Sequence, residues 1–351
     1  MSALFRPMRL GEIDLPNRII MAPLTRCRAS EGRVPNALMK EYYAQRASAG
    51  LIITEATSVT PMGVGYPNTP GIWSNAQIEG WLRITEAVHD SGGRIMSQLW
   101  HVGRVSHPIY LDGALPVAPS AIAPAGHVSL LRPYQAYPTP RALALSEIPE
   151  IIEAYRRGAE NAKAAGFDGV ELHGANGYLL DQFLQDSANK RTDCYGGSIE
   201  NRSRLMLEAT DAAISIWGPR RVGMHLAPRG DSHSMGDSDP EATFGYVARE
   251  LGKRGLAFIC AREHAGPDAI GRSLKQQFSG AYIVNEGYDA QTAEAAIDAG
   301  DADAAAFGKL FIANPDLPER FLRNAPLNEP QPATFYTSGP VGYTDYPALA
   351  G

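Results

Sequence analysis

The densest group of potentially reactive side chains in this sequence lies in the segment HGANGY, residues 173–178. His173 and Asn176 are two hydrogen-bond donors three positions apart, and together they could bind one oxygen of a carbonyl or nitro group. The phenol of Tyr178, two residues further on, could deliver a proton to a nearby carbon. A single histidine in a loop is more often structural, so the segment alone leaves a binding site and a structural loop as alternatives.

Glycines and a lysine near the C-terminal end form a second candidate site. Gly287 and the pair Gly308 and Lys309 follow two short apolar runs. Backbone amides at such positions can bind a phosphate group. Simple turns would also place glycines there, so the interpretation depends on the fold.

Other catalytic chemistries find little support in the sequence. The eight histidines are scattered, and neither HExxH nor another paired spacing indicates a metal site. The G-x-S-x-G elbow of serine hydrolases is missing. Glu55 and Glu171 are the candidates for a glycosidase pair, but both lie on or at the end of apolar runs, where polar positions within a sheet explain them better.

Eight apolar runs of strand length alternate with segments of helical periodicity. The runs cover residues 18–22, 51–56, 94–99, 169–173, 221–226, 256–261, 281–284 and 304–307, and the helical segments include 76–90, 147–165, 199–216, 240–253 and 289–299. Parallel strands joined by helices are buried on both faces, which explains continuous apolar runs. Eight such units predict a single α/β domain over residues 1–351, a (β/α)8 TIM barrel. The missing G-x-G-x-x-G motif argues against an open, doubly wound sheet.

The active sites of such barrels lie at the C-terminal ends of the strands. Polar residues follow most of the predicted strands, including Thr25, Gln98, His173 and His225. The longest gap between runs contains residues 106–140, which hold seven of the 26 prolines. We therefore predict a Pro-rich loop excursion after the third strand, either a lid over the site or a surface decoration.

Composition limits the class of protein further. Lys and Arg number 32 against 38 Asp and Glu, a net charge of −6 that argues against nucleic-acid binding. The three cysteines are far apart and odd in number, so we predict no disulfide framework and a reducing compartment. Neither a signal peptide nor an apolar run long enough to span a bilayer is evident. The expected protein is cytoplasmic, a monomer or weak homo-oligomer, with a small-molecule substrate and no membrane partner.

Five segments closely resemble the old yellow enzyme family of FMN-dependent ene-reductases, especially the bacterial N-ethylmaleimide, nitrate-ester and xenobiotic reductases. They are LPNRIIMAPLTRCRA (15–29), QLWHVGR (98–104), GFDGVELHGANGYLLDQFLQDSANKRTDCYGGSIENR (166–202), ANPDLPERF (313–321) and GYTDYP (342–347). The resemblance spans nearly the whole chain. It implies a barrel with one non-covalently bound FMN, which accounts for both the candidate phosphate site and the missing dinucleotide motif.

The resemblance also implies roles for individual residues. His173 and Asn176 are expected to hold the substrate oxygen, and Tyr178 is the expected proton donor. The Thr25 hydroxyl would donate to the flavin carbonyl, and the Gln98 amide would pair with the pyrimidine edge. The expected FMN contacts are Pro23, Leu24, Thr25, Ala56, Gln98 and His225, with Gly287, Gly308 and Lys309 at the phosphate, and the expected pocket walls are Tyr66, Trp100 and Tyr336.

The implied reaction is ping-pong. NADPH or NADH reduces FMN and leaves, and an activated alkene such as an enone, maleimide or nitroalkene then accepts the hydride. Nitrate esters and nitroaromatics are further expected substrates. His173 and Asn176 would bind the transition state better than the ground state, because negative charge grows on the substrate oxygen as the hydride arrives.

Three positions depart from the family pattern. His225 stands where the family has an arginine, and a histidine is charged only in part, so we expect a lower flavin potential or weaker FMN retention. Lys309 keeps the charge of a usual arginine but loses its forked geometry. Glu286 precedes Gly287, and because a carboxylate repels a phosphate, we expect its side chain to point to solvent.

Three alternatives compete with this interpretation, and the cysteine count excludes the second of them. The first is a flavin-binding barrel with little turnover, because His225 replaces the arginine. The second is the larger type of dienoyl-CoA reductase and trimethylamine dehydrogenase, whose iron–sulfur cluster needs more cysteines than the three dispersed ones here. The third is a phosphate-binding lyase barrel without flavin, which would be colourless.

Overall fold

A closed barrel of parallel strands forms the centre of the computed structural model, which describes residues 2–349. The barrel strands are β1 (Ile19–Met21), β2 (Leu51–Ile53), β3 (Ile95–Trp100), β4 (Gly169–Gly174), β5 (Val222–Leu226), β6 (Phe258–Arg262), β7 (Ala281–Asn285) and β8 (Ala304–Phe307). Each pairs in parallel with the next, and β8 pairs with β1, which closes the barrel. The predicted (β/α)8 fold is confirmed, and the predicted runs differ from the strands only at their ends.

Helices surround the barrel. They are α1 (Ala37–Ala44), α2 (Asn75–Asp90), α3 (Ile148–Ala164), α4 (Leu179–Leu184), α5 (Ile199–Trp217), α6 (Pro240–Arg254), α7 (Gly271–Phe278), α8 (Ala290–Asp298), α9 (Lys309–Ala313) and α10 (Leu317–Arg323). The predicted helical segments correspond to α2, α3, α5, α6 and α8. The others have at most eight residues, too few to show a helical period. Within residues 2–349, no helix combines the length and apolar character needed to cross a bilayer.

Helix α3 shows how the sequence builds one of these layers. Its apolar residues Ile148, Ile151, Tyr155 and Ala159 recur at helical spacing, and all four are buried in the main core. Gly166 follows the helix with a φ of 76°, a left-handed conformation that glycine adopts without strain. The chain then turns directly into β4, which carries the candidate site.

The amino-terminal end of the barrel is closed by a hairpin. Its strands, Met8–Leu10 and Ile13–Leu15, pair in antiparallel register around a turn at Gly11. Leu10 and Ile13 join the inward-facing side chains of the barrel strands in one buried cluster. The other end, where the strands finish, is left for a ligand.

The excursion after β3 folds over that other end. It contains the short strand Val117–Ala118, which pairs with Arg141–Ala142, and a bridge between His127 and Ala136. Val128 of this segment packs in one buried cluster with Trp100 at the end of β3. The segment therefore contributes walls to the space above the strand ends.

Candidate active site

A cavity of about 410 Å³ lies at the carboxyl ends of the barrel strands. It brings together residues from β1, β2, β3 and β4, from the excursion after β3 and from the C-terminal segment. The lining residues are Pro23, Leu24, Thr25, Ala56, Tyr66, Gln98, Trp100, His127, Val128, Ser129, Leu130, Arg132, Tyr134, His173, Asn176, Tyr178 and Tyr336. Of the residues predicted to contact the flavin ring or the substrate, all except His225 line this one cavity.

The loop after β4 is held in place by the helix that follows it. Asn176 and Gly177 both have positive φ, 60° and 76°, so the chain turns sharply. The Gly177 amide donates to Asp181 Oδ2 at 2.8 Å, and Gln182 Nε2 donates to the Gly177 carbonyl at 2.6 Å. The first turn of α4 thus fixes the positions of Asn176 and Tyr178 on either side of Gly177.

Tyr178 lies between aromatic neighbours. Its hydroxyl is 3.0 Å from the Tyr66 hydroxyl, and its ring meets Trp100 and His173 edge-on at centroid distances of 5.0 and 4.9 Å. Burial raises the pKa of both phenols, so both stay protonated at neutral pH. A protonated, buried phenol beside a second hydroxyl is equipped to give a proton to a ligand in the cavity.

The His173 imidazole is neutral in this environment. Burial lowers its pKa well below the ordinary value, and the nearby positive charge of Arg262 acts in the same direction. Its Nδ1 atom is buried and has no hydrogen-bond partner in the described part of the chain. A buried polar atom of this kind is costly unless a ligand pairs with it, so His173 has an unused hydrogen-bonding position at the cavity.

His225 is not among the residues that line the cavity, but it lies beside two that are, His173 and Gln98. It is in register with His173 on the neighbouring strand, with the two ring centroids 5.5 Å apart. Its Nδ1 is 3.5 Å from Gln98 Nε2 and 3.6 Å from Glu171 Oε2, while Gln98 Nε2 donates to that same Glu171 oxygen at 2.7 Å. The buried Nε2 of His225 has no partner within residues 2–349.

Glu171, His225 and Cys260 bring three potential metal-ligand atoms within 4.8 Å of one another. No sequence motif indicated this group, because its members come from three neighbouring strands. Burial raises the pKa of the Cys260 thiol well above its usual value, which keeps it protonated and makes it a poor ligand. The sequence-based prediction names no metal site, and this group does not change that prediction.

Arg262, at the end of β6, is a site residue that the sequence analysis missed. Its Nη1 donates to Asn176 Oδ1 at 2.9 Å, and its Nε and Nη2 each lie 2.8 Å from a carboxylate oxygen of Glu286. The expectation that Glu286 points to solvent is therefore wrong, because its carboxylate is drawn to Arg262. The signal was present, since the rule that polar residues at strand ends form the site also applies to the sixth strand.

The residues predicted to hold a phosphate end two adjacent strands. Gly287 follows β7 with a φ of 80°, and Gly308 precedes the short helix α9 after β8. Lys309 is exposed and forms no ion pair with another residue of the described chain. None of the three is among the residues that line the cavity, and their phosphate role remains a prediction.

Tyr336 reaches the cavity because two buried arginines hold the C-terminal segment. Arg26 donates to the carbonyls of Phe335 and Gly342 at 3.1 and 2.7 Å, and Arg28 donates to the Phe335 carbonyl at 3.0 Å. Both arginines follow β1. The C-terminal segment that carries Tyr336 is thereby held against Arg26 and Arg28, which lie near the N-terminus. No spacing in the sequence could indicate this contact.

The excursion residues that line the cavity were also missed individually. Sequence reasoning located the segment but could not say which of its residues face the site. The cavity residues from this segment are His127, Val128, Ser129, Leu130, Arg132 and Tyr134. Their positions depend on packing against Tyr66 and Trp100, which is a tertiary property.

Comparison with known proteins places the chain in a family. A model described as the NADH:flavin oxidoreductase / NADH oxidase family matches residues 3–328. A probable flavin mononucleotide-dependent alkene reductase from Leishmania infantum is 44% identical over 355 residues, which cover 99% of this chain and 97% of that protein. Morphinone reductase in complex with tetrahydroNAD superposes with a TM-score of 0.96 at 52% identity, covering 99% of this chain and 98% of the other. The old yellow enzyme homologue from Zymomonas mobilis also has a TM-score of 0.96, at 47% identity and 99% coverage of both chains.

Together with the parallel barrel and the cavity over its strand ends, these matches identify a flavin-dependent oxidoreductase, and the chain belongs to the NADH:flavin oxidoreductase / NADH oxidase family, the old yellow enzymes. It is an FMN-dependent alkene reductase of that family, and its hydride donor is a reduced nicotinamide. The resemblance inferred from the sequence segments is confirmed.

The described residues fit an FMN group. Pro23, Leu24 and Ala56 give the cavity an apolar wall against which a flat ring system can lie. Buried nitrogen atoms of His173 and His225, which have no partner within residues 2–349, provide hydrogen-bonding positions at the cavity and next to it. A ligand with a planar ring and polar edges would satisfy both.

Proposed function

We propose that this enzyme reduces the C=C bond of electron-poor alkenes, namely enones, maleimides and nitroalkenes, in a ping-pong reaction. The observation that carries the proposal is that His173, Asn176 and Tyr178 converge on one cavity, with a buried His173 nitrogen that no described residue satisfies. In this proposal the nicotinamide and the alkene use this one cavity in turn. When bound, FMN supplies the hydride.

Two residues bind the substrate oxygen in this proposal. The His173 imidazole and the Asn176 amide donate hydrogen bonds to the carbonyl or nitro oxygen. As negative charge develops on that oxygen, these bonds become stronger, so they lower the barrier rather than merely bind the ground state. A neutral His173 can fill this role, because a neutral imidazole still carries one N–H that donates to the oxygen.

Tyr178 is the proposed proton donor to the α-carbon. Its phenol is kept protonated by burial, and the Tyr66 hydroxyl at 3.0 Å can donate to the phenolate that forms when the proton leaves. Trp100, Tyr66 and Tyr336 form walls that exclude water and limit the shape of the alkene.

The remaining predicted residues hold the cofactor in this proposal. Thr25 and Gln98 would hydrogen-bond the flavin ring, and His225 would face its pyrimidine end. Gly287, Gly308 and Lys309 hold the phosphate with backbone amides and one positive charge. These assignments rest on the resemblance together with the position of each residue at the end of a barrel strand.

Anaerobic half-reactions test the proposal. The purified yellow protein is mixed with NADPH or NADH, and bleaching of the flavin absorbance is recorded. Cyclohexenone, N-ethylmaleimide or a nitroalkene is then added, with cyclohexanone as the saturated control. We expect bleaching, followed by recovery of colour only with the alkenes.

Two outcomes would contradict the proposal. If the flavin is bleached but its absorbance does not return with any of the alkenes, electron-poor alkenes are not the substrates that reoxidise it. Failure of both NADPH and NADH to bleach the flavin would favour the alternative of a flavin-binding barrel with little turnover.

A further inference from the structure

The side-chain amide of Asn176 is hydrogen-bonded to a charged residue, Arg262, that takes no part in the reaction proposed above. Arg262 Nη1 donates to Asn176 Oδ1 at 2.9 Å. A guanidinium has only donors, so its partner on Asn176 must be the amide oxygen. The Asn176 nitrogen Nδ2 is therefore the atom left free for a ligand.

The guanidinium itself is fixed from behind. The Nε and Nη2 atoms of Arg262 both bind Glu286, at 2.8 Å each, which is the bidentate arrangement that a forked guanidinium and a carboxylate prefer. Nη1 is the one guanidinium nitrogen that does not bind Glu286, and it donates to Asn176. The Ser232 hydroxyl, 3.4 Å from Nη1, is the only other group of the described chain that accepts a bond there.

The backbone of Asn176 is held independently. His233 Nδ1 lies 2.7 Å from the Asn176 carbonyl oxygen, and the residue has a φ of 60°. The main chain is thus positioned by one neighbour and the side-chain amide by another. Without Arg262, the main chain would stay in place while the amide could rotate about its terminal bond and present either its oxygen or its nitrogen to the cavity.

We propose that Arg262 and Glu286 form a positioning pair that locks the Asn176 amide with Nδ2 toward the substrate oxygen. This inference rests on the function proposed above, in which Asn176 donates to that oxygen. Because Glu286 neutralises the guanidinium, the pair acts through orientation of the amide and adds little net charge to the site. An alkene whose carbonyl or nitro oxygen is bound by both His173 and Asn176 therefore depends on Arg262 and Glu286. If the Asn176 amide rotated, its own oxygen would face the substrate oxygen and repel it.

A double-mutant cycle on the holoenzyme tests this proposal. The rate of flavin reoxidation by cyclohexenone is measured in single turnovers for the wild type, Arg262→Met, Asn176→Ala and the double variant. We expect Arg262→Met to slow reoxidation between about 10- and 100-fold, the loss that misplacement of a reacting group causes. In the Asn176→Ala background, the same change should have no further effect, because the amide it orients is gone.

The chain offers a matched control. Arg229 and Glu263 form a second ion pair beside Arg262, with Arg229 as exposed as Arg262, but Arg229 does not contact Asn176. Arg229→Met should therefore reoxidise at the wild-type rate within about twofold. A loss as large as that of Arg262→Met would show that any ion pair at this edge matters, and would overturn the proposal.

Further readouts separate the possible failures. Glu286→Gln keeps Arg262 and weakens its anchor, so it should also slow reoxidation, and it replaces Arg262→Met if that variant does not fold. The midpoint potential of the bound flavin should be the same in Arg262→Met as in the wild type, and a lower potential would overturn a purely orienting role. If flavin reoxidation is slow in Asn176→Ala but not in Arg262→Met, only the positioning role of Arg262 and Glu286 is contradicted. If Asn176→Ala itself has the wild-type rate, the role of Asn176 in the proposed function fails first.

Discussion

The end of β4 and the ends of β6 and β7 position polar groups in two different ways. After β4, the turn at Gly177 is bonded to Asp181 and Gln182, which lie within one helical turn of it. At the ends of β6 and β7, Arg262 and Glu286 are 24 positions apart and hold each other across neighbouring strands. The first arrangement is contained in one segment, whereas the second exists only when β6 and β7 pair with each other.

Asn176 belongs to both arrangements. Its backbone is part of the β4 turn, and its amide is oriented by Arg262. The comparison teaches that a residue can be identified by its local motif while the direction of its hydrogen bond is decided by a distant strand. The predictions below separate these two contributions.

Tyr178→Phe should have the largest effect, because it removes the proton donor that the β4 segment supplies. General acid catalysis contributes about 10²- to 10⁴-fold, and we expect a loss of alkene reduction in that range. Bleaching of the flavin by NADPH should be retained, which stopped-flow measurement of the two half-reactions will show. Tyr66→Phe is the control, with less than about tenfold loss, since only one hydrogen bond is removed. Equal losses in both variants would argue against Tyr178 as the donor.

His173→Ala removes a hydrogen bond to the substrate oxygen and should lower kcat by about 10²- to 10³-fold, as for one oxyanion-hole donor. Because the pKa of His173 is well below its ordinary value, the imidazole stays neutral as the pH falls from 8 to 6. Its protonation should therefore cause no loss of kcat in that window. A drop in kcat near pH 6.5 that disappears in His173→Ala would contradict a neutral imidazole.

The anchor of the β4 turn can be tested through stability. Burial raises the pKa of Asp181 from 3.8 to about 7. The folded state then holds this proton more tightly than the unfolded state, so the contribution to stability is complete below about pH 4 and is lost as the pH rises to 7. Each pKa unit corresponds to about 1.4 kcal/mol.

Asp181→Asn should therefore flatten the decrease in the free energy of unfolding between pH 4 and 7, measured by urea denaturation. The asparagine keeps the bond from Gly177, and the Gln185 amide can turn to accept from it. Asp112→Asn is the matched control, since Asp112 is exposed. An unchanged pH dependence in Asp181→Asn would show that another group is responsible.

His225→Arg tests the effect of the histidine on β5 that stands where the family has an arginine. A permanent positive charge at position 225, beside Gln98, would stabilise the anionic reduced flavin, so the midpoint potential should rise. A gain of about 1.4 kcal/mol corresponds to about 30 mV for a two-electron couple. A redox titration that gives the same flavin midpoint potential for the wild type and for His225→Arg would show that residue 225 does not set this potential. Arg262→Met is the control, because we expect it to leave the potential unchanged.

Much of the fold could be predicted because its signals are local. Each barrel strand is a short apolar run, and α2, α3 and α5 are long enough to show a helical period. Helices α1, α4 and α7 were not predicted because each spans only two turns or fewer. The β4 residues His173, Asn176 and Tyr178 were identified for the same reason, since they lie within six consecutive positions.

The sequence by itself determined the parallel barrel, the identity of the family and the set of polar residues at the ends of its strands, because each of these is recorded in neighbouring positions along the chain. The tertiary structure decided which way those residues face. It turned Glu286 from solvent toward Arg262, placed His225 beside His173 and Gln98, and brought Tyr336 to the cavity wall through Arg26. These contacts join residues that are 24 or more positions apart in the chain, and only the pairing of strands and the packing of the C-terminal segment bring their charges and hydrogen-bond donors within reach.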